Sequence, residues 1–327
     1  MNHYLPIKDY GLIGNLHTVA LVSRTGSINY LPFTRFDSPT IFAALLDKEK
    51  GGFWQLAPVS FDVRYKQQYL PETGVLLTHF YTPNGIAELT DFMPVKRHEQ
   101  NCAVVRTLRV VKGELAFRMV FRPRFDYARA SHATEQQDDS ILFRSTRPDG
   151  YQFRLLSNQA LPVRLGDVTG TWTLSQGTEA SFAIEAVPQD ASKFRPHSLD
   201  YYTGSAFHDT ITFWQKWADS STYTGRWCET VLRSAITLKL LTSLQYGSTV
   251  VAATFGLPAT IGAGRNWDYR YTWIRDAAFT MYAFLRLGFV DESKEFVRWL
   301  MDRCQQMEDA SELQLMYAVD GSPQLQE

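Results

Sequence analysis

The sequence predicts a multidomain β + α fold, in which a large antiparallel β-sandwich precedes layers of helices. In 115–121, apolar side chains alternate with other residues, and 180–186 repeats this period of two, which is typical of half-buried strands. From Thr222 onward the apolar spacing becomes helical. The length of 327 residues favours about two domains, which agrees with this change of pattern.

The N-terminal region, residues 1–190, contains many short apolar runs separated by turn signals. The segments 83–85 (PNG) and 112–113 (KG) are two of the predicted turns. Short strands with frequent turns favour a sandwich. One helix is predicted within this region, over 39–49, because Pro39 suits the first turn of a helix.

Helical patterns dominate the rest of the chain. Residues 191–221 are a predicted helical linker, and a helix is predicted over 229–244. The next helix, 276–288, is apolar nearly all round, which predicts burial on most sides. The last, 291–304, is amphipathic, with Asp291 as its predicted cap. Its predicted buried stripe consists of Phe296, Val297, Leu300, Met301 and Cys304.

The composition argues against two classes of partner. Lys plus Arg total 33 and Asp plus Glu total 34, so the formal net charge is −1 and no basic nucleic-acid surface is expected. No apolar run reaches the roughly 18 residues of a membrane span. The N-terminal residues also lack the pattern of a secretory signal. We therefore expect no nucleic-acid partner and no membrane partner.

The cysteines and histidines predict neither disulfides nor a metal site. The seven histidines show no ligand spacing, and HExxH, Walker and paired CxxC motifs are absent. The sequence therefore predicts no metal and no cofactor. The three cysteines are odd in number and widely separated, and we expect them to be buried free thiols in the reducing cytoplasm: Cys102, Cys228 and Cys304.

The segment 266-NWDYRYTWIRDAAF-279 combines aromatic rings with charged side chains. A sugar ring has an apolar face that an aromatic side chain can cover. Its vicinal hydroxyls suit charge-assisted hydrogen bonds from residues such as Arg275 and Asp276. The alternative is an ordinary helix start, with core aromatics and a local ion pair near the helix N-terminus. The spacing alone leaves both interpretations open.

Two further segments place charged residues beside aromatics. Arg35 and Asp37 flank Phe36 and are a candidate pocket rim. The favoured interpretation is a turn in which Asp37 caps the helix predicted over 39–49. The loop 122-RPRFDYAR-129 is interpreted as structural, with salt bridges between its three arginines and its aspartate.

Taken together, these motifs resemble the N-terminal half of a bacterial or archaeal protein of glycoside hydrolase family 15, the group of glucoamylases, glucodextranases and trehalases. The RFDSP motif at 35–39 and the NWDYRYxWxRDA motif at 266–277 are specific when they occur in this order. The resemblance covers nearly the whole chain and includes 7–46, 90–95, 122–127, 230–242, 265–289 and 313–322.

The resemblance implies a fold and an activity. The implied fold is a super-β-sandwich over 1–190, a helical linker over 191–221 and the first helices of an incomplete (α/α)6 barrel over 222–327. The implied activity is inverting hydrolysis of α-glucosides with release of glucose. The linkage is left open between the maltose, isomaltose and trehalose types.

The resemblance also implies roles for four residues. Arg275 and Asp276 are expected to bind the outer hydroxyls of the terminal glucose. Tyr269 and Trp273 are expected to pack beside the sugar ring and near the reacting bond. The expected ligand is therefore an α-glucoside or glucose.

Two features depart from the family's pattern. Asn29 and Tyr30 stand where the family usually has Asp-Trp, which is expected to affect local packing. The family's general acid and general base are glutamates expected beyond residue 327, and Glu312 and Glu327 match neither motif. Inversion needs two carboxylates about 6.5–9.5 Å apart. We therefore assign no catalytic residue and expect this chain to be inactive alone.

Other hypotheses stay open at this point. The chain could be a non-catalytic sugar-binding or interaction module. Its helical part could self-associate, or a second chain could complete the barrel. A catalytic dyad of Asp268 and Asp276 is disfavoured, because neither fits the family's acid or base.

Overall fold

The computed structural model describes most of the chain. The described residues are 4–95, 102–147, 150–190, 192, 194–257, 264–305 and 307–325. The predicted domain limits at residues 1, 191 and 327 lie outside them, as does Glu327 itself. Within the described ranges, no helix is both long and apolar enough to cross a membrane.

Antiparallel strands build the N-terminal region, and they form two hydrogen-bonded layers that share one strand. The strands are β1 (Tyr10–Gly14), β2 (Val19–Ser23), β3 (Ser27–Pro32), β4 (Thr40–Phe42), β5 (Phe53–Pro58), β6 (Arg64–Tyr69), β7 (Leu76–Thr82), β8 (Gly85–Phe92), β9 (Ala103–Arg122), β10 (His132–Gln136), β11 (Ser140–Ser145), β12 (Gln152–Ser157), β13 (Val163–Arg164), β14 (Asp167–Ser175) and β15 (Glu179–Val187).

The two layers pack face to face around one core. The first has the order β1-β2-β3-β5-β9-β14-β13, and the second has the order β6-β7-β8-β9-β15-β12-β11-β10. Trp54 and Phe117 from the first layer meet Phe80 and Phe153 from the second in the same buried cluster. The predicted sandwich is therefore confirmed, as is the tight turn between β7 and β8.

The long strand β9 belongs to both layers. Residues 103–113 pair with β8 and β15, whereas residues 114–122 pair with β5 and β14. Gly113, at a φ of 82°, lies where the strand changes layer, and this backbone conformation favours glycine. The predicted turn at 112–113 is therefore wrong, because the chain stays paired there. The alternation predicted over 115–121 is confirmed by the buried Leu115, Phe117, Met119 and Phe121.

The helix predicted over 39–49 is also wrong. Residues 40–42 form β4, which pairs with β3, and backbone hydrogen bonds then join residues 43–44 to 51–52. Ile41 and Phe42 are fully buried in the sandwich core. A short apolar run does not distinguish a helix from a buried strand. The sandwich core nearby decides in favour of the strand.

The chain leaves the sandwich through the helices of the predicted linker. α1 (Leu199–Tyr201) continues through a π-helical segment at 202–206 into α2 (Phe207–Ala218). Tyr202 packs with Ala183 of β15 in a small buried cluster. The linker therefore covers the side of β15 that faces away from the sandwich core.

Three more helices follow, close to their predicted positions. Trp214 of α2 is fully buried and packs with Leu16 of the sandwich and with Ile236. This contact joins the sandwich to the helical region. The helices are α3 (Cys228–Leu240), α4 (Ile274–Leu287) and α5 (Val290–Cys304).

Helix α4 is less buried than its composition predicted. Ala277, Met281 and Phe284 face the neighbouring helices and are buried. On its other side, Phe279, Tyr282 and Leu285 are 73%, 64% and 52% exposed. The prediction of burial on most sides is therefore wrong within the described residues, because neighbours pack against only one side of α4.

Helix α5 buries a different stripe from the predicted one. Phe296 is buried as predicted, but Val297, Met301 and Cys304 are exposed, and Trp299 is buried instead. Asp291 does not cap the helix. Phe289 occupies the cap position and makes no side-chain cap bond, and Asp291 pairs with Lys294.

A buried polar contact explains why α5 buries a different stripe from the predicted one. The carboxylate of Glu292 accepts hydrogen bonds from Lys239 Nζ at 2.8 Å and from Trp217 Nε1 at 2.6 Å. These bonds turn the Glu292 side of α5 inward, which a pattern of apolar residues cannot reveal.

The predicted burial of the free thiols is right for Cys102 and wrong for Cys228 and Cys304, which are exposed.

Candidate functional site

The backbone just before α4 is fixed at two points. The carbonyl oxygen of Tyr269 accepts hydrogen bonds from the backbone N–H groups of residues 251–252, both at 3.0 Å. The short strand β16 (Thr272–Trp273) pairs with β17 (Met316–Tyr317). The first turn of α4 therefore begins from a defined position.

Asp268 and Arg270 form a buried ion pair in this segment, with side chains 5% and 7% exposed. Arg270 Nη2 lies 2.5 Å from Asp268 Oδ2, and Arg270 Nε lies 3.0 Å from Oδ1. Asp268 Oδ1 also accepts from the backbone N–H of Arg270 at 2.9 Å. Because the guanidinium occupies this carboxylate, the geometry does not support a catalytic dyad with Asp276.

Arg270 also contacts loops of the sandwich. Its Nη1 donates to the Tyr127 hydroxyl and to the Ser38 carbonyl, the latter at 3.4 Å. The guanidinium lies 5.2 Å from the ring centre of Phe255. Burial lowers the pKa of Arg270, but the hydrogen bonds with Asp268 raise it to a net value above its ordinary range. The charged guanidinium therefore holds this segment against the sandwich.

Three aromatic rings lie together beside this ion pair. The half-buried Trp273 has its ring centre 5.9 Å from that of Tyr269 and 6.4 Å from that of Trp267, which is 51% exposed. Trp273 Nε1 donates to the carbonyl oxygen of Asp268 at 3.0 Å. This hydrogen bond fixes the indole to the backbone of Asp268, so the ring is held in place before any ligand binds.

Arg275 and Asp276 lie in the first turn of α4, next to Trp273. Arg275 Nη2 and Nε lie 3.0 and 3.2 Å from Asp276 Oδ2, and the side chains are 72% and 32% exposed. The guanidinium is 6.0 Å from the Trp273 ring centre. A carboxylate is favourable at a helix N-terminus. Among the described residues only one carboxylate oxygen takes part in this pair, so both groups can still bind hydroxyls.

Arg35 and Asp37 join the sandwich to the C-terminal turn. Arg35 Nε and Nη2 donate to the two Asp37 oxygens at 3.0 and 2.9 Å, and Nη1 donates to Asp320 at 2.9 Å. Asp37 Oδ2 also accepts from the backbone N–H of Val319 at 3.1 Å. Burial lowers the pKa of Arg35, but its bonds to Asp37 and Asp320 raise the net value above its ordinary range. Asp37 therefore anchors residue 319 and does not cap a helix.

The structure brings four of the six predicted site residues into one group: Tyr269, Trp273, Arg275 and Asp276. Arg35 and Asp37 make their described contacts elsewhere, although Ser38, the next residue, accepts from Arg270. Among the described residues, no three His, Cys, Asp or Glu side chains are grouped closely enough to hold a metal ion.

The loop 122–129 contains a contact that the sequence did not indicate. The predicted salt bridge between Arg129 and Asp126 is present at 2.6 Å, but the other two arginines, Arg122 and Arg124, pair with Asp167. Tyr127 contacts Arg270 from a distant part of the chain. The RFDY motif was the available signal, and it did not reveal the partner.

Asn29 and Tyr30, which stand where the family usually has Asp-Trp, both make contacts within the protein. The ring centre of Tyr30 lies 5.4 Å from that of Phe255, whose ring also contacts Arg270. Asn29 Nδ2 donates to the Tyr10 hydroxyl at 3.0 Å. Tyr30 therefore packs against the same ring that contacts Arg270.

Comparison with known proteins adds two family matches and one fold match. Residues 2–150 match the family described as trehalase-like, N-terminal, and residues 225–327 match glycosyl hydrolases family 15. A bacterial glucoamylase complexed with acarbose has a similar fold, with a TM-score of 0.68 at 12% identity. The similarity covers 97% of this chain and 52% of that chain.

Curated relatives are similar along nearly the whole chain. A trehalase of Thermoplasma volcanium is 32% identical over 99% of this chain and 51% of its own length. Trehalase 1 of Sulfolobus acidocaldarius is 33% identical over 97% of this chain and 52% of its own. A trehalase of Mycobacterium tuberculosis is 28% identical over 100% of this chain. The chain thus spans about half the length of these relatives.

The chain is therefore similar in fold to a bacterial glucoamylase and in sequence to trehalases about twice its length. Residues 225–327 belong to glycosyl hydrolases family 15, and residues 2–150 belong to the trehalase-like N-terminal family.

Proposed function

We propose that the protein is an inverting hydrolase that releases glucose from an α-glucoside, and that residues 269–276 form a wall of its glucose pocket. The exposed Arg275–Asp276 pair beside the half-buried ring of Trp273 supports this proposal. The ring can cover the apolar face of a sugar, and the pair can bind vicinal hydroxyls. Each such charge-assisted hydrogen bond contributes about 1.5–3 kcal/mol.

Among the α-glucosides, we propose trehalose as the substrate. The relatives named trehalase are 28–33% identical over nearly all of this chain. The similarity to the glucoamylase is at 12% identity and supports the fold alone. Maltose-type and isomaltose-type linkages are the competing substrates.

We also propose that residues 1–327 supply the pocket wall but not the acid–base pair. Inversion needs two carboxylates about 6.5–9.5 Å apart, and Asp268 is occupied by Arg270. By the family resemblance, both catalytic glutamates lie outside residues 1–327. General acid–base assistance contributes about 10²–10⁴-fold for each group. Residues 1–327 alone are therefore expected to release no measurable glucose.

The stereochemistry of the products tests the activity. A chain extended to the full length of the trehalase relatives would be incubated with trehalose, maltose and isomaltose, and anomeric protons would be followed by NMR. Inverting cleavage of trehalose gives one β-glucose and one α-glucose, since only the attacked carbon inverts. Two molecules of α-glucose would contradict inversion, and preferential cleavage of maltose would contradict the substrate.

The exposed face of α4 supports a further proposal, that additional helices cover it in the whole protein. Phe279, Tyr282 and Leu285 all lie on this face, and large exposed apolar patches drive association. The covering helices would come from the same chain or from a second one. Residues 1–327 alone are expected to self-associate, which light scattering at several concentrations would detect. A strictly monomeric chain that binds no hydrophobic dye would contradict this.

The second candidate function is a non-catalytic sugar-binding or interaction module. The occupied carboxylate of Asp268 favours it for these residues taken alone. An extended chain that binds trehalose but releases no glucose would decide for this module.

We propose the cytoplasm as the location of the protein. Cys228 and Cys304 are free and exposed, and free thiols persist in a reducing compartment. Cell fractionation with an antibody against the chain would test this, and recovery from the extracellular fraction would contradict it.

A further inference from the structure

A cavity of about 770 Å³, lined by polar and apolar side chains, lies on the sandwich and shares no lining residue with the group at α4. It is formed by the side of β11 and β12 that faces away from the core, together with the last residue of β15 and residues 189, 194 and 196–198. Pockets for drug-sized ligands measure about 300–1,000 Å³. The cavity therefore has room for a ligand larger than one hexose.

The floor of the cavity is a rigid hydrogen-bonded cluster. Arg154 and Glu185 are 5% and 0% exposed, and Arg154 Nε lies 2.7 Å from Glu185 Oε2. Glu185 Oε1 accepts from the Tyr202 hydroxyl at 2.6 Å and contacts His197 Nδ1 at 2.9 Å. Burial raises the pKa of Tyr202, and the adjacent Glu185 raises it further, so the hydroxyl keeps its proton. This cluster fixes residues 197–202 against the sheet, and the cavity is preformed.

The charges around the cavity are compensated. Arg154 is paired with Glu185, and Arg144 Nη2 lies 3.5 Å from a carboxylate oxygen of Glu135. Asp139 lies 3.7 Å from Arg154 Nη1. A phosphate or a nucleotide would require an excess of positive charge for electrostatic complementarity. The cavity therefore suits an uncharged ligand.

Two glutamine amides line the wall, and one of them is held in a fixed orientation. Gln152 Nε2 donates to the carbonyl of Pro188 at 2.8 Å, which presents its Oε1 as an acceptor. Gln137 Oε1 lies 3.2 Å from Ser140 Oγ, whose single hydrogen is shared with Asp139 Oδ1 at 3.0 Å, so the Gln137 amide can rotate to donate or to accept. The half-buried ring of Phe194, whose centre lies 5.4 Å from the Arg154 guanidinium, adds an apolar surface to the same lining. Such a mixture matches a sugar, whose hydroxyls donate and accept and whose C–H face is apolar.

We propose that this cavity is a second carbohydrate site, which binds a neutral oligosaccharide without cleaving it. The sugar class follows from the compensated charge, the two glutamine amides and the aromatic surface. The inference goes beyond the proposed function because it requires neither the group at α4 nor catalysis. The choice of an α-linked glucose oligosaccharide as the probe rests on the proposed function.

Titration of isotope-labelled residues 1–327 with maltotriose, followed by NMR, tests the site. Saturable shifts are expected in the amides of lining residues such as Gln137, Arg144, Gln152, Arg154, Phe194 and Ser198. Phe194→Ala and Gln152→Ala are each expected to weaken the affinity about tenfold, the loss of one good contact. Asp276→Ala, and Gln215→Ala on the exposed side of α2, are expected to leave the affinity within about twofold.

The same titration contains the results that would overturn the proposal. They are the absence of saturable binding, and binding that Asp276→Ala abolishes while Gln152→Ala leaves it intact. Tighter binding of inorganic phosphate than of maltotriose would also overturn it, because the cavity would then be an anion site. If Phe194→Ala fails to fold, Gln152→Ala decides. A negative result at this cavity would not affect the proposed role of the group at α4, since Asp276 does not line the cavity.

Discussion

Two arginine–aspartate pairs lie in the same short segment, and their surroundings are opposite. The side chains of Asp268 and Arg270 are 5% and 7% exposed, and Arg270 is also bonded to a sandwich tyrosine and a sandwich carbonyl. The side chains of Arg275 and Asp276 are 32–72% exposed and meet through a single carboxylate oxygen. The same two residue types therefore serve as an anchor in one place and as an open surface in the other.

The difference separates a structural role from a binding role. A buried pair whose hydrogen bonds are made within the protein has little capacity left for a ligand, and loss of one partner leaves an uncompensated charge. An exposed pair contributes little to stability but keeps donors and acceptors for a ligand. Substitution of the first pair should therefore change stability, and substitution of the second should change activity.

The largest expected effect on stability is that of Arg270→Ala. It leaves Asp268 buried without its partner, which costs about 3–5 kcal/mol in the free energy of unfolding. Urea denaturation followed by circular dichroism would measure the change. Arg275→Ala is the matched control and is expected to cost less than about 1 kcal/mol. Equal losses in the two variants would remove the distinction between the pairs.

An intermediate effect is expected for Arg35→Ala. This guanidinium is 34% exposed and binds Asp37 and Asp320, so its loss should cost about 1.5–3 kcal/mol. Arg24→Ala is the control, because Arg24 is 49% exposed and, among the described residues, forms an ion pair only with Asp9, at 3.4 Å. Thermal denaturation of the two variants would rank them. A larger loss for Arg24→Ala would show that Arg35 does not join the sandwich to the C-terminal turn.

The smallest of these effects is a change in pH dependence. Burial raises the pKa of Asp320, but the Ser322 N–H and Arg35 lower it to a net value below its ordinary 3.8. A carboxylate with a lowered folded-state pKa contributes stability that is fully present above 3.8. That stability is lost as the pH falls through the folded-state pKa. Urea midpoints measured below pH 5 should therefore fall less steeply in Arg35→Ala, and parallel curves would refute the contact.

The sandwich could be predicted because its strands carry a local signal. The buried alternation of Leu115, Phe117 and Met119 is visible in the sequence, since a strand with one face on the core repeats every two residues. The helix wrongly predicted over 39–49 lacked such a signal. Its three-residue strand is fixed by pairing with β3, a contact that the local sequence does not contain.

The candidate site could be located from the sequence, but which of its two ion pairs is buried could not be predicted. The sequence shows two similar pairs, Asp268 with Arg270 and Arg275 with Asp276. It does not show which pair is buried, because burial depends on distant residues such as Tyr127 and Ser38. The inward face of α5 escaped prediction for the same reason, because a long-range ion pair with Lys239 sets it.

The most direct test of the central claim is the activity of Asp276→Ala and Arg275→Ala in a chain extended to the full length of the trehalase relatives. The measured quantities are kcat/KM for trehalose and the melting temperature of each variant. If the pair binds glucose, kcat/KM should fall about ten- to a hundredfold for each lost charge-assisted bond, since each is worth about 1.5–3 kcal/mol. The melting temperature should stay within a few degrees of that of the parent chain, because the pair is exposed. Unfolding of either variant, or unchanged activity in both, would contradict the claim and make Arg275–Asp276 an ordinary ion pair at a helix start.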